Sequence, residues 1–399
     1  MHAQLKESEI YLMENLFDST VKENGSNDQP NNYLKSIPES IEKKLTNQLK
    51  YDRFPLFVLG AGISKGKVPL LSEIGAWLLN ELSDSNINDL NLDRVKKHTK
   101  ALSENNATRR QVAELFSTIQ ETNTPYESVW NKFSQGFIRD RLEINGQTFE
   151  GLCNVNPNTE HYDLANILSN SKCYIMSLNF DGLTYEALRE TRSKSIDLTE
   201  KSALVVHTEE AVYQYFTAKS REFLPAIFKV RGDVFYARCT EPACPMYQAQ
   251  YPLDRVFPQG PASDLLKCPI CSIGTLRLQF SFPGYRAKEE AAYPMLWAIR
   301  RFLASRLSAV IVIGLSGRWD GYLIRFLFDL VSERKLLFVD VNPRKQSEVN
   351  FIDDFRLSYY KSIPDLNKQK KVTGSAFISI PMLASDFSAE MKELFNMES

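Results

Sequence analysis

Four of the six cysteines fall in two short-spaced pairs, Cys239-x4-Cys244 and Cys268-x2-Cys271. Pairs of this kind in turn-rich sequence (CTEPACP, KCPIC) suit a zinc ion held tetrahedrally by four thiolates, a closed ligand set with a structural role. The alternative is four unrelated thiols. Cys153 and Cys173 sit apart and read as core thiols. A second group is Gly60-Ala61-Gly62-Ile63-Ser64. Glycines at such a place let a pyrophosphate approach backbone amides at a helix start. A tight turn without ligand would use the same residues, and the spacing excludes a P-loop. A third group is Asn179 and Asp181 in the segment SLNFDGL. Polar residues just after a buried strand sit where α/β folds bind ligands. Asp181 is equally suited to cap the helical run LTYEALRE. A fourth is Asp340-Val341-Asn342-Pro343, either a ribose or adenine contact or an ordinary strand end. Of the histidines, His161 near a helix start suits a structural hydrogen bond. His207 ends a strand-like run with its role open, and His2 and His98 read as solvated.

These residues need elements to position them. The run Phe54–Leu59 (FPLFVL) is apolar without alternation, as in a strand buried on both faces. The glycine turn follows it, and Leu71–Leu82 then has helical spacing. Further strand signals lie at Tyr174–Leu178, Ala203–His207, Ala226–Val230, Ala309–Ile313 and Leu336–Val341, mostly separated by stretches long enough for crossovers. That alternation predicts an α/β fold with a parallel sheet. Helical patterns occupy 8–22 and 36–50, and a charged, mostly helical module spans about 83–160. The expected organisation is a helical extension over 1–50, the first part of the α/β domain over 51–236, a cysteine-bearing insertion over 237–280, and the second part over 281–399.

Composition bounds the function. The 399 residues are 43% apolar and 24% charged, with 48 Lys+Arg against 49 Asp+Glu and a net charge of −1. That is an ordinary globular balance, and it gives no basic excess for a dedicated nucleic-acid binder. No apolar run approaches the ~20 residues that span a bilayer. The acidic N-terminal stretch lacks the apolar region of a signal peptide. A cytoplasmic protein with reduced or metal-bound cysteines is expected.

Taken in order, these motifs resemble the sirtuin family. They are GAGIS at Gly60–Ser64, HYDL at His161–Leu164, SLNFDGL at Ser177–Leu183, the module Cys239–Cys271, GLS at Gly314–Ser316 and DVNP at Asp340–Pro343. The resemblance runs from about Phe54 to Asn342, with 83–160 uncovered. It implies a Rossmann-like parallel sheet that binds NAD, with an inserted four-cysteine zinc ribbon. It also implies NAD contacts from Gly60, Ala61, Gly62, Ile63, Ser64, Asn179, Asp181, Gly314, Ser316 and Asn342. Two departures matter. The family's His-Gly, whose His is the general base of protein deacylation, is here Arg231-Gly232, and a guanidinium cannot accept a proton at neutral pH. The loop after GAGIS reads KGKVPLLSEI and lacks the family's Phe and Arg. Loops of this altered kind are similar to those of sirtuin-like effectors of bacterial anti-phage defence that cleave NAD.

The resemblance therefore implies an NAD hydrolase with Asn179, Asp181 and Arg231 as catalytic candidates and NAD as substrate. Asp181 would hold the nicotinamide amide, Asn179 the ribose hydroxyls or water, and Arg231 a phosphate or ribose oxygen. His207 is a possible substitute base. The alternatives are a non-enzymatic module that senses NAD or ADP-ribose, and an NAD-dependent deacylase. A homo-oligomer or a partner such as an ATPase or nucleotide-processing enzyme is expected by analogy alone.

Overall fold

Residues with no polar alternation build strands with two buried faces, and the centre of this molecule is made of them. The computed structural model describes residues 36–39, 41–43, 53–120, 124–138, 140–152, 154–170, 173–193, 204–206, 209–217, 226–248, 251–252, 268, 270–274, 276–280, 286–315, 323, 326–327, 329–331, 336–341 and 377–396. In chain order the elements begin with β1 (Phe54–Leu59), a 3-10 turn (Ala61–Ser64), α1 (Leu71–Asp84), α2 (Leu92–Ser103), α3 (Arg109–Gln120) and α4 (Glu127–Ile138). They continue with β2 (Arg141–Ile144), β3 (Gln147–Glu150), α5 (Thr159–Asn170), β4 (Tyr174–Ser177), α6 (Leu183–Ser193), β5 (Leu204–Val206), α7 (Glu209–Thr217) and β6 (Ala226–Lys229). Then come β7 (Gly232–Cys239), β8 (Tyr251–Pro252), β9 (Leu276–Phe280), α8 (Arg286–Leu303), β10 (Leu307–Ile313), β11 (Leu337–Val341), β12 (Phe377–Ile380) and α9 (Ala384–Asn396).

Among the described residues, seven strands form one sheet in the order β12-β11-β10-β1-β4-β6-β5, every pair parallel. Successive residues feed opposite cores. Leu56, Val58, Val310, Val312, Met176 and Phe228 pack on one face with α8. Phe57, Leu59, Ile311, Ile313, Ile175 and Ile227 pack on the other with α5 and α9. From β1 the chain moves outward to β4, while β10 returns on its other side and leads on to β11. The order thus reverses between β1 and β10, which opens the crevice at the carboxyl ends where such sheets bind ligands. This is a Rossmann-like α/β fold.

Helices α1–α4 enclose a third core around Trp77, Phe116 and Phe133, closed by Leu142, Ile144 and Phe149 of the β2–β3 hairpin. That hairpin falls within the stretch read as mostly helical. Its turn is Asn145-Gly146, both with positive φ (52° and 78°), the backbone a two-residue hairpin turn requires. A separate antiparallel sheet, β8-β7-β9, is inserted between β6 and α8; Cys239 ends β7, and Cys244, Cys268 and Cys271 lie in the segments between its strands. This sheet starts at Gly232, ahead of the boundary expected at 237. The helix read over 8–22 lies outside the described residues. Of the one read over 36–50, Glu39 and residues 41–43 are helical, and Ile37 and Ile41 join the core beneath α9. Among the described residues, no helix is long and apolar enough to cross a membrane.

Candidate functional site

The 3-10 turn after β1 holds Ser64 at the carboxyl edge of the sheet, where it is 1% exposed. Three side chains meet its hydroxyl. It donates to Asp181 Oδ2 at 3.0 Å, Asn179 Nδ2 donates to it at 3.2 Å, and His161 Nε2 lies at 3.2 Å. The turn after β4 thus brings Asn179 and Asp181 together on one atom of the glycine loop. The helix-capping role of Asp181 is present, because its Oδ1 accepts the amide of Leu183 at 3.2 Å at the start of α6, while its other oxygen meets Ser64. Asn179 is 7% exposed and held by Ser64.

His161 sits in the first turn of α5. Asn158 caps that helix by accepting the His161 amide at 3.3 Å, and the Asn158 amide donates back to His161 Nδ1 at 3.3 Å. This reciprocal pair is a capping box with an imidazole in place of the usual Glu or Gln. Asn158 Nδ2 also donates to the carbonyl of Ile63 at 2.9 Å, tying the helix to the glycine loop. The structural hydrogen bond expected of His161 is therefore present on both ring nitrogens. With Nε2 protonated, Ser64 satisfies all three contacts, since a hydroxyl has one hydrogen and two lone pairs. With Nδ1 protonated, a state favoured by the approach of Asn158 Oδ1, His161 and Asp181 compete for the serine hydrogen. In both tautomers the carboxylate meets the serine and not the imidazole. The set is not a nucleophilic triad, in which the acid orients the histidine.

Burial pushes His161 down to about 4; Asp181 opposes this and Lys229 reinforces it. The folded protein thus refuses a proton that the unfolded chain accepts between about 6.5 and 4. Stability contributed by the neutral ring is complete above the unfolded value and is lost as the pH falls through that window. The loss is on the order of 3 kcal/mol, from 1.36 kcal/mol per pH unit. Urea unfolding at pH 7 and pH 4.5 tests this by comparing the parent with His161→Gln. The parent should lose more stability on acidification than the variant, and equal losses would refute the assignment.

The glycines have a reason other than ligand approach. The amides of Gly60 and Gly62 donate to Ile313 and Gly314 carbonyls, each at 2.9 Å. A Cβ on Gly62 would stand 2.7 Å from Gly314 Cα, and one on Gly60 would stand 2.5 Å from the Gly314 oxygen. Gly314 itself has φ +66°, which favours glycine. The two turns at the switch point are therefore packed backbone to backbone. The amides of Gly60 and Gly62 are thus engaged in this packing. Ala61 is exposed, while Ile63 is buried in the sheet core.

Arg231 follows β6 and is buried beside this edge. Lys229, at the end of β6, was not singled out from the sequence. It is 2% exposed, and its ammonium donates to the carbonyl of Asn179 at 2.6 Å and to that of Asp181. Asp340 is buried on β11, in register with Val312. Ser316, Asn342 and His207 lie outside the described residues. His98 is not solvated as read, because its side chain is largely covered and lies 3.9 Å from Glu114. Cys173 is a buried core thiol, as expected, and Cys153 lies outside the described residues.

Cys239, Cys244, Cys268 and Cys271 converge, with all four sulfurs within 4.8 Å of one another. Cys239–Cys271 and Cys244–Cys268 are each 3.6 Å apart. A tetrahedral ion with Zn–S near 2.3 Å needs sulfurs about 3.8 Å apart, so the donor set fits zinc. The amides of Glu241 and Gly274 donate to Cys239 and Cys271 sulfurs at 3.3 Å. The amides of Gly274 and Ile273 pull the Cys271 thiol down to about 7, while burial holds Cys239 up at about 12. A Cys271→Ser variant should lose the metal and loosen this module locally, because binding and local folding are coupled. Metal analysis of the parent finding no zinc, with four reactive thiols, would contradict this.

No protein-family model matches the chain, and no curated protein matches it. Among solved structures it is similar to complexes of Sir2 homologues with ADP-ribose. One carries a serine-to-alanine substitution, with 13% identity, 91% of this chain and 98% of that chain covered, and a TM-score of 0.46. A histidine-to-asparagine variant has 14% identity, the same coverage and a TM-score of 0.45. A likeness at this level assigns no function.

Proposed function

We propose that the protein is a sirtuin-like NAD hydrolase that releases nicotinamide and ADP-ribose. The observation that carries this reading is the meeting of Ser64, Asn179 and Asp181, from two separate motifs, at the carboxyl edge of the sheet where the turns after β1 and β4 adjoin; by the sequence resemblance, Arg231 takes the position of a deacylase's base. In this reading water attacks the ribose C1′. The N-glycosidic bond breaks with its electron pair passing to the pyridinium nitrogen, and the water proton leaves to solvent. Positive charge builds on the ribose as the bond opens, so a fixed carboxylate at Asp181 and an oriented amide at Asn179 lower the barrier. Arg231 holds a phosphate or ribose oxygen and takes no proton.

A constitutive NAD hydrolase would poison its own cell. We therefore read it as an NAD-depleting defence effector that is active only in an assembly, with itself or with a nucleotide-processing partner. Arg231 also favours a second reading over deacylation, that of a module which binds NAD or ADP-ribose without turnover. Incubation of the purified chain with NAD, with and without an acyl-lysine peptide, separates the readings. Nicotinamide release without peptide is expected. Strict peptide dependence indicates a deacylase, and binding without release indicates a sensor.

A further inference from the structure

The loop that carries Asn179 and Asp181 leaves the sheet after Ser177 and so loses the ladder that would hold its backbone. Its carbonyls turn inward, where a buried oxygen without a partner costs about 1–3 kcal/mol. The neighbouring strand supplies the partner. Lys229 is in register with Ser177, and its side chain reaches along the carboxyl edge to the carbonyls of residues 179 and 181. Between them Phe180 packs toward the helical core, so the loop is held from both sides. One ammonium with three donors thus bridges alternate carbonyls and sets the distance between the two side chains above them.

We infer that Lys229 is a positioning residue that clamps the 179–181 loop and orients Asn179 and Asp181 toward Ser64. Its catalytic consequence rests on the NAD-hydrolase reading, and its structural consequence does not. A lysine is suited to this because its stem buries against apolar surface while a compact charge gathers oxygens. Arginine's planar fork would not place its donors on both carbonyls. The positive charge also lies close enough to influence His161, which it helps to keep neutral.

The test compares the parent with Lys229→Met, of similar length but without donors. Peptide-resolved hydrogen exchange is read over 178–184 and, as internal control, over β10. Exchange of the Leu183 and Asn179 amides, bonded to Asp181 Oδ1 and Ser177 Oγ, should quicken by about 10-fold or more while β10 stays protected. Local opening of this kind is separable from global unfolding, which quickens all core amides together. Should the Met variant not fold, Lys229→Gln, whose shorter amide cannot reach both carbonyls, takes its place. Unchanged exchange over 178–184 in the folded variant overturns the proposal.

In the activated assembly, kcat for NAD cleavage should fall about 10–100-fold with KM within about threefold, and Lys229→Arg should restore little. A fall in exchange protection with kcat unchanged would overturn the positioning role. If the parent itself cleaves no NAD while the loop still opens in the variant, the clamp stands and the hydrolase reading fails.

Discussion

Asn179→Ala should lower NAD turnover by roughly 10²-fold or more while the protein stays folded. The side chain donates to Ser64 Oγ, which also serves Asp181 and His161. Its loss removes one neutral hydrogen bond, worth about 0.5–1.5 kcal/mol, from a buried site. Stability and NAD affinity should each drop by no more than that order. Turnover should fall further because the fixed dipoles act on charge that exists only as the ribose cation forms. Steady-state kinetics of the activated assembly, with calorimetry for NAD affinity, separate the two effects. Turnover equal to the parent's would remove Asn179 from the catalytic machinery. Arg231→His is the companion variant. If Arg231 holds the substrate, this change lowers NAD cleavage, and gain of peptide-dependent chemistry would contradict that role.

Gly62→Val should destabilise the fold by about 2–3 kcal/mol, the usual scale for forcing bulk into a packed place. The new Cβ would lie 2.7 Å from Gly314 Cα and 2.9 Å from its oxygen, and backbone on both sides leaves little room to yield. Residue 62 also donates its amide to Gly314. The damage should appear as a lower urea midpoint and as faster exchange at the ends of β1 and β10. An affinity loss without any loss of stability, the outcome expected if the glycine only admits a pyrophosphate, would contradict the packing account.

The GAGIS example shows how far residue types carry. They placed a strand and the turn that follows it, because a non-alternating apolar run followed by glycines is a local signal. They could not show that Gly62 faces Gly314, since that contact joins segments some 250 residues apart in the chain. Lys229 was missed for a similar reason. It stands two residues before Arg231 in KVRG, and nothing local marks a lysine that will be buried across a neighbouring strand's loop. The hairpin β2–β3 was legible in principle, since Asn145-Gly146 lies between alternating residues, and the helical pattern around it obscured the signal. The cysteine module was the most readable part, because ligand spacing is a local property. Asn158 had its own local sign as well, an Asn three residues before His161 at a helix start.

The central claim is that water opens the N-glycosidic bond of NAD at the edge where Ser64, Asn179 and Asp181 meet. The most direct measurement is turnover of NAD by the activated assembly in ¹⁸O-labelled water without any acyl peptide. The account predicts nicotinamide and ADP-ribose in equal amounts, with one labelled oxygen on the ribose C1′ of the product. NAD bound but recovered intact, or nicotinamide released only when an acyl-lysine peptide is present, would contradict it.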